Sequence, residues 1–216
     1  MTQINPSNPI WKPDRSRIDN SNLMHFMRVL NGRWQQNLQN YQDIHRFSID
    51  EPNRFWKSFW QYANILGQHH DENVISQNEF MGRCHYFENA TFNYAENLLR
   101  SNKSDEAIFF KVEDFFEKTI SWQLLYQSVA EMANAMRKNG IKKNDVIAAI
   151  IPNCPQAIIA LLASASIGAI WTSCSPDFGV QGVLDRFGQT KPKLLIAALG
   201  YRYNGKIIHI GFRPEC

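Results

Sequence analysis

The sequence predicts an α/β protein. A helical, aromatic-rich N-terminal segment (residues 1–85) is followed by the first βαβαβ part of a doubly wound, mainly parallel sheet (residues 86–216). Three observations carry this reading. Val146–Ile151, Ala169–Cys174 and Leu194–Ala198 are short, nearly uniformly apolar runs of β-forming residues, as in strands buried on both faces. Between the first two lies the apolar stretch Ala157–Ile167, long enough for three helical turns, opened by Pro155 and closed by Gly168. A polar corner from Ser173 to Gly179 and a second helical stretch, Val180–Gln189, fill the next interval. Such an alternation folds as neighbouring parallel strands joined by right-handed crossovers.

No charged residue occurs between Val146 and Pro176. A membrane-spanning helix needs about 20 uninterrupted apolar residues, and Pro152, Asn153 and Pro155 cut the stretch too early. A buried core is therefore expected, with no membrane contact.

The remaining elements follow in order. Residues 1–20 are polar and read as an extended lead-in anchored by Ile10 and Trp11. Asn20 or Ser21 can cap a helix whose apolar positions are Leu23, Phe26, Met27, Leu30, Trp34 and Leu38, with Gly32 as a point where it could break. Asp50, Glu51 and Pro52 open another helix carrying Phe55, Trp56, Phe59 and Trp60. Four aromatics so close can stack nucleic-acid bases, but no basic groove accompanies them, so packing is the expectation. Residues 67–79 read as a solvated loop. His69, His70, Asp71 and Glu72 lack a metal-ligand spacing, and Cys84 beside His85 is an unsupported pair. Ala107–Val112 is a strand, Thr119–Ser121 returns beside it after a charged turn, and Thr119 or Ser121 caps the next helix. Trp122, Leu125, Val129, Met132, Ala133 and Met136 give that helix one apolar face, and Gly140 with Ile141 closes it.

Composition narrows the function classes. Hydrophobic residues make up 44% of 216, enough for a real core, and the net charge of +3 is scattered, so nucleic acid is not an expected partner. The sequence begins without the basic-then-apolar plan of a signal peptide. Cys84, Cys154, Cys174 and Cys216 are widely spaced, favouring reduced thiols and a cytoplasmic protein. No nucleotide phosphate loop, dinucleotide fingerprint or hydrolase nucleophile elbow is present.

Beyond this point a resemblance speaks. Ser121, Trp122 and Leu125, then Ala133, then Gly140, Ile141, Asp145, Val146 and Ala148, then Pro152, Asn153 and Pro155, and Ile167–Ala169 stand in an order similar to the N-terminal domain of the adenylate-forming acyl-CoA synthetases. A narrower resemblance is to the branch that acts on acetoacetate. It rests on Asn22–Arg28, on Tyr41 to Trp56 (with Phe47 where a Trp is usual), on Phe92–Leu99, and above all on the corner Trp171–Gly179 with Gly182–Phe187 and Lys191–Lys193.

The resemblance implies an ATP-dependent acetoacetate–CoA ligase. ATP and the carboxylate, with Mg²⁺, give an acyl-adenylate, and coenzyme A then displaces AMP. A ligase for another short-chain acid, or a non-catalytic remnant binding coenzyme A or a partner, are the alternatives. The family's phosphate loop, ribose aspartate and C-terminal lysine are not among these 216 residues, so no catalytic or metal-binding residue is assigned and the chain alone is expected to lack ligase activity. Residues 207–216 depart from the family, and a truncated or frameshifted N-terminal portion is the reading. Uncovered strand edges and the aromatic helix are then expected to promote self-association. The resemblance implies coenzyme A contacts at Ser175, Asp177 and Arg186 within the corner that also holds Pro176 and Phe178; Pro176 and Asp177 replace two glycines of related synthetases. Alternatively, Asp177 caps the next helix and Arg186 pairs with Asp177 or Asp185.

Overall fold

A computed structural model describes residues 11–69, 74–76, 84–100 and 105–210. The chain forms two compact units, Met1–Thr91 and Phe92–Cys216.

In the first unit, α1 (Arg15–Asp19) begins where the Asp14 carboxylate accepts from the Arg17 N–H at 2.7 Å. The lead-in is therefore not extended throughout, and Trp11 is 63% exposed rather than an anchor; Ile10 lies outside the described residues. Ser21 caps α2 (Asn22–Trp34), accepting from the Met24 N–H. Gly32 does not break α2. A helical glycine costs only about 1 kcal/mol, and the same helix buries Phe26, Met27 and Leu30. Leu38 falls beyond the helix, yet Asn31 bonds both its backbone groups, at 2.9 and 2.8 Å, and returns it to the same cluster.

Helix α3 (Tyr41–Asp50) was not foreseen. Its signal is local: the Asn40 side chain accepts from the Asp43 N–H, and the Asp43 carboxylate accepts from the Gln39 N–H, a reciprocal cap of the capping-box kind. Helix α4 (Pro52–Tyr62) starts at Pro52, as expected. Its aromatics are packing groups. Phe55, Phe59 and Tyr62 surround the Phe26 ring at centroid distances of 5.6, 5.8 and 5.0 Å, and Trp60 meets Phe87 at 4.7 Å. The Trp34 indole N–H donates to the hydroxyl of fully buried Ser58 at 2.9 Å. Two-residue strands β1 (Gly67–Gln68), β2 (Ile75–Ser76), β3 (His85–Tyr86) and β4 (Thr91–Phe92) follow, β2 pairing antiparallel with β3. Of the histidine–acid cluster only His69 is described, edge-on to Trp60 and Phe87.

The second unit opens with α5 (Tyr94–Leu98), capped by Asn93, whose amide also donates to the Ala165 carbonyl at 2.9 Å. β5 (Glu106–Val112) and β6 (Phe116–Ser121) form the expected hairpin, and Ser121 caps α6 (Trp122–Lys138). β7 (Val146–Ile150), α7 (Pro155–Ser166), β8 (Ile170–Cys174), α8 (Val180–Thr190) and β9 (Leu194–Ala197) complete the βαβαβ array. The three strands are parallel in the order β8–β7–β9, with Val146 opposite Ile170 and Ile147 opposite Leu194. The chain thus steps over β7 on its way from β8 to β9.

Adjacent residues of β7 reveal the two layers. Ile147 packs with Leu125, Val129 and Met136 of α6 and Leu162 of α7, whereas Ala148 packs with Phe187 of α8. Both are fully buried. The flanking strands are less covered than uniform apolarity suggested: Ile170 is 51% and Leu195 44% exposed, because each lies on an edge of this three-stranded sheet.

Helices α6 and α7 end alike. The Gly140 and Ile141 N–H groups donate to the Arg137 and Met136 carbonyls, and those of Gly168 and Ala169 to Ala165 and Ser164. This is the Schellman arrangement, and it needs the φ of +76° and +73° that these glycines adopt. β10 (Gly200–Tyr203) and β11 (Lys206–His209), also not foreseen, form an antiparallel hairpin around Asn204-Gly205, both at positive φ.

Replacing Ile147 by Ala should lower the unfolding free energy of this unit by about 2–5 kcal/mol, since a fully buried side chain leaves a cavity. Val180→Ala, at 78% exposure, should change it by less than about 0.5 kcal/mol. Urea unfolding of the two variants beside the parent chain checks both.

Candidate functional site

The corner after β8 lies at the carboxyl edge of the parallel strands, where ligands of open α/β sheets gather. Its shape is set by its own residues. The Phe178 N–H donates to the Ser175 carbonyl at 3.2 Å, closing a turn. The Ser175 hydroxyl donates to one Asp177 carboxylate oxygen at 2.8 Å, and the Asp177 N–H donates back to that hydroxyl at 3.4 Å. Pro176 is half-buried between them.

The other Asp177 oxygen accepts from the phenol of Tyr201, on β10. This bond and the Ser175 hydroxyl hold the Asp177 carboxyl below its usual range, and the same bond pushes the Tyr201 phenol up. Asp177 is therefore not a helix cap: α8 begins after Gly179 with no side-chain cap at all.

Arg186 projects from the second turn of α8 and is exposed. Neither proposed pairing forms. Asp177 is held as described, and the Asp185 carboxylate accepts from the Gln181 amide at 2.7 Å. Among the described residues Arg186 has no ion-pair partner. Its guanidinium lies over the Phe178 ring, 6.0 Å from the centroid. Phe178 in turn rests on Gly182, where a Cβ would come within 3.3 Å of the ring. Gly182 and Arg186 thus share one face of α8, and Phe178, just ahead of the helix, lies against that face. The nearby Cys174 thiol is pushed up by burial, and the positive charge of Arg186 partly opposes that shift.

Other residues of the motif do structural work at the opposite edge. Lys193 donates to the Asp145 carboxylate at 2.8 Å and to the Gly140 carbonyl at 2.7 Å. The Lys142 N–H reaches the same carboxylate oxygen at 2.7 Å. These contacts hold the Asp145 carboxyl low and tie the end of α6 to the start of β7 and β9. Tyr201 and Gln181 were missed as site residues. Asn204-Gly205, a strong hairpin signal, could have indicated that Tyr201 lies on a paired strand.

Cys84 and Cys154 are half-buried and Cys174 is buried, while Cys216 lies outside the described residues. No group of three or more metal-ligating side chains converges among the described residues, and no helix there is long and apolar enough to cross a membrane.

The corner has a defined pH window. A depressed carboxylate contributes stability above its ordinary range and loses it as pH falls through the depressed value; a raised phenol contributes below its ordinary range and loses it as pH rises through the raised value. NMR titration of the Asp177 carboxyl carbon should show ionisation at lower pH than an exposed aspartate. In Asp177→Asn, the Tyr201 ring should titrate earlier than in the parent chain.

Comparison with known proteins agrees with this architecture. Residues 96–209 match the model of the family described as AMP-binding enzyme. The chain is 39% identical over 198 residues to the acetoacetyl-coenzyme A synthetase of Rhizobium meliloti (strain 1021), covering 92% of this chain and 30% of that protein. It is 38% identical over 207 residues to the acetoacetyl-CoA synthetase of Gallus gallus, covering 94% and 31%. Among solved structures it superposes on acetoacetyl-CoA synthetase from Streptomyces lividans with a TM-score of 0.84 and 33% identity, over 94% of this chain and 32% of the other. The chain therefore spans about 30% of the length of these relatives. With more than half of its residues inside the matched region, the chain belongs to the AMP-binding enzyme family.

Proposed function

We propose that this chain forms part of an ATP-dependent acetoacetate–CoA ligase, in which its corner and Arg186 help to hold coenzyme A. The observation that carries the reading is Arg186: an exposed guanidinium with no ion-pair partner among the described residues, set on an aromatic ring beside the carboxyl edge of a parallel sheet. Such a group suits a nucleotide phosphate, because its fork of N–H donors matches phosphate oxygens. Ser175 and Asp177, beside it, would border the same ligand.

ATP and Mg²⁺ belong to the complete reaction, where they supply the adenylating phosphate and stabilise its charge. No residue described here is assigned to them, since the sequence contains no phosphate loop. Cys154 and Cys174, neither in a disulfide, fit a reducing, cytoplasmic setting. Acetoacetate is the acid expected from the named relatives.

A second reading, a partner-binding module, is favoured by exposed apolar residues. These concentrate not on α4 but in the second unit, at Val180, Leu184, Leu195, Leu199 and Ile207, of which Leu199 is 87% exposed. Self-association through them would appear as a concentration-dependent elution volume in size-exclusion chromatography.

Calorimetry with coenzyme A and with adenosine 3′,5′-bisphosphate tests the leading reading. Both should bind, and Arg186→Ala should weaken both by roughly tenfold. Binding indifferent to Arg186 would defeat the assignment. The chain by itself should show no acetoacetate-dependent exchange of pyrophosphate into ATP, and exchange above a heat-inactivated control would place adenylation within these residues.

A further inference from the structure

Among the described residues Arg186 pairs with no acid, and each of the two acids near it in sequence is bound by uncharged donors. Asp185, next to it in sequence, is engaged by the Gln181 amide. Asp177, next to the Phe178 ring that Arg186 covers, is engaged at one oxygen by Ser175 and at the other by Tyr201. Of these donors, Ser175 and Gln181 are local, two and four residues from the acids they bind. Tyr201 is 24 residues from Asp177 and arrives only because β10 folds back beside the corner.

We infer that Tyr201 is a positioning residue: its hydroxyl holds the Asp177 carboxylate on the corner and so leaves the Arg186 guanidinium open to a phosphate-bearing ligand. This rests on the reading of Arg186 given above. An Asp177 carboxylate freed of Tyr201, one residue from the ring that the guanidinium covers, would be drawn to that fork of donors and compete with phosphate for the same N–H groups. It also adds a negative charge in front of the anion to be bound.

The hairpin that presents Tyr201 is itself anchored. The Arg202 guanidinium lies 4.0 Å from the centroid of Phe115, and the Gly205 N–H donates to the Glu113 carboxylate at 3.0 Å. The phenol is thus delivered by a strand fixed on the β5–β6 turn. The corner in turn carries Phe178, the ring beneath Arg186, so the hydroxyl of Tyr201 bonds the residue next to that ring.

Tyr201→Phe removes only the hydroxyl and tests this in the 216-residue chain, with Asp177→Asn, the double variant and Arg186→Ala alongside. Adenosine 3′,5′-bisphosphate is the probe in calorimetry, and solvent exchange of the Arg186 Nε–H by NMR is the ligand-free measurement. Tyr201→Phe should weaken the probe by roughly tenfold and slow Nε–H exchange as Asp177 pairs with Arg186. The double variant should restore binding to within about twofold of Asp177→Asn and return Nε–H exchange to its fast rate. A merely structural role for Tyr201 would not be rescued by Asp177→Asn. Unchanged Nε–H exchange in Tyr201→Phe, or weakened binding that the second substitution fails to rescue, overturns the inference. If Arg186→Ala leaves probe binding intact, the ligand reading of Arg186 falls instead, and Nε–H exchange still decides whether Tyr201 keeps Asp177 off the guanidinium.

Discussion

The burial of β7 is the constraint on which the second unit depends. Ile147, Ala148 and Ala149 are wholly inaccessible, with parallel strands on both sides and helices on both faces. A strand so enclosed can pair its backbone only with its neighbours, since no water reaches it. β8 and β9 must therefore flank it in register, α6 and α7 must cover Ile147, and α8 must cover Ala148. The small side chains at 148 and 149 let these layers approach closely, while Ile147 and Leu162 fill the deeper face.

The two ends of this sheet carry different work. At the amino edge, Asp145 and Lys193 link the start of two strands to the C-terminus of α6, and the glycine-closed helices turn there with bonds to carbonyls of their last turns. At the carboxyl edge the chain instead leaves polar groups facing outward. Ser175, Asp177 and Tyr201 satisfy one another, and a cation remains over. The residues on which the resemblance rests thus divide between those that build the sheet and those exposed at its carboxyl edge. Gly140, Asp145, Gly168 and Lys193 belong to the first set, as does Asn93, which joins α5 to the last turn of α7.

The first unit has a separate organisation. Phe26 is its centre, enclosed by α4 aromatics in edge-on and tilted contacts, with Ile44 and Phe47 of α3 in the same cluster. Edge-on geometry places the positive rim of one ring against the negative face of another, which favours this arrangement over flat stacking. That explains why an aromatic stripe able in principle to stack bases is spent on internal packing.

Local signals in the sequence determined most elements, because each depends on residues a few positions apart. Ser21 and Ser121 as caps, Pro52 and Pro155 in first turns, and Gly140 and Gly168 as helix ends were legible for that reason. The apolar runs of the three strands were legible too, each lying within a residue of its final bounds. Helix α3 and the Asn204-Gly205 hairpin also had local signals, in Asn40 with Asp43 and in the turn itself, and were overlooked. Tertiary structure alone decided the rest. Strand order, with the first strand in the middle, follows from which faces the helices cover, and no short-range pattern encodes it. The corner was visible as Ser175, Asp177 and Arg186, but their partners were not. Asp177 finds its second donor 24 residues away, and among the described residues Arg186 has no ion-pair partner although two acids stand near it in sequence. Charge along a sequence shows which pairs are possible; only the folded arrangement of competing donors shows which of them form.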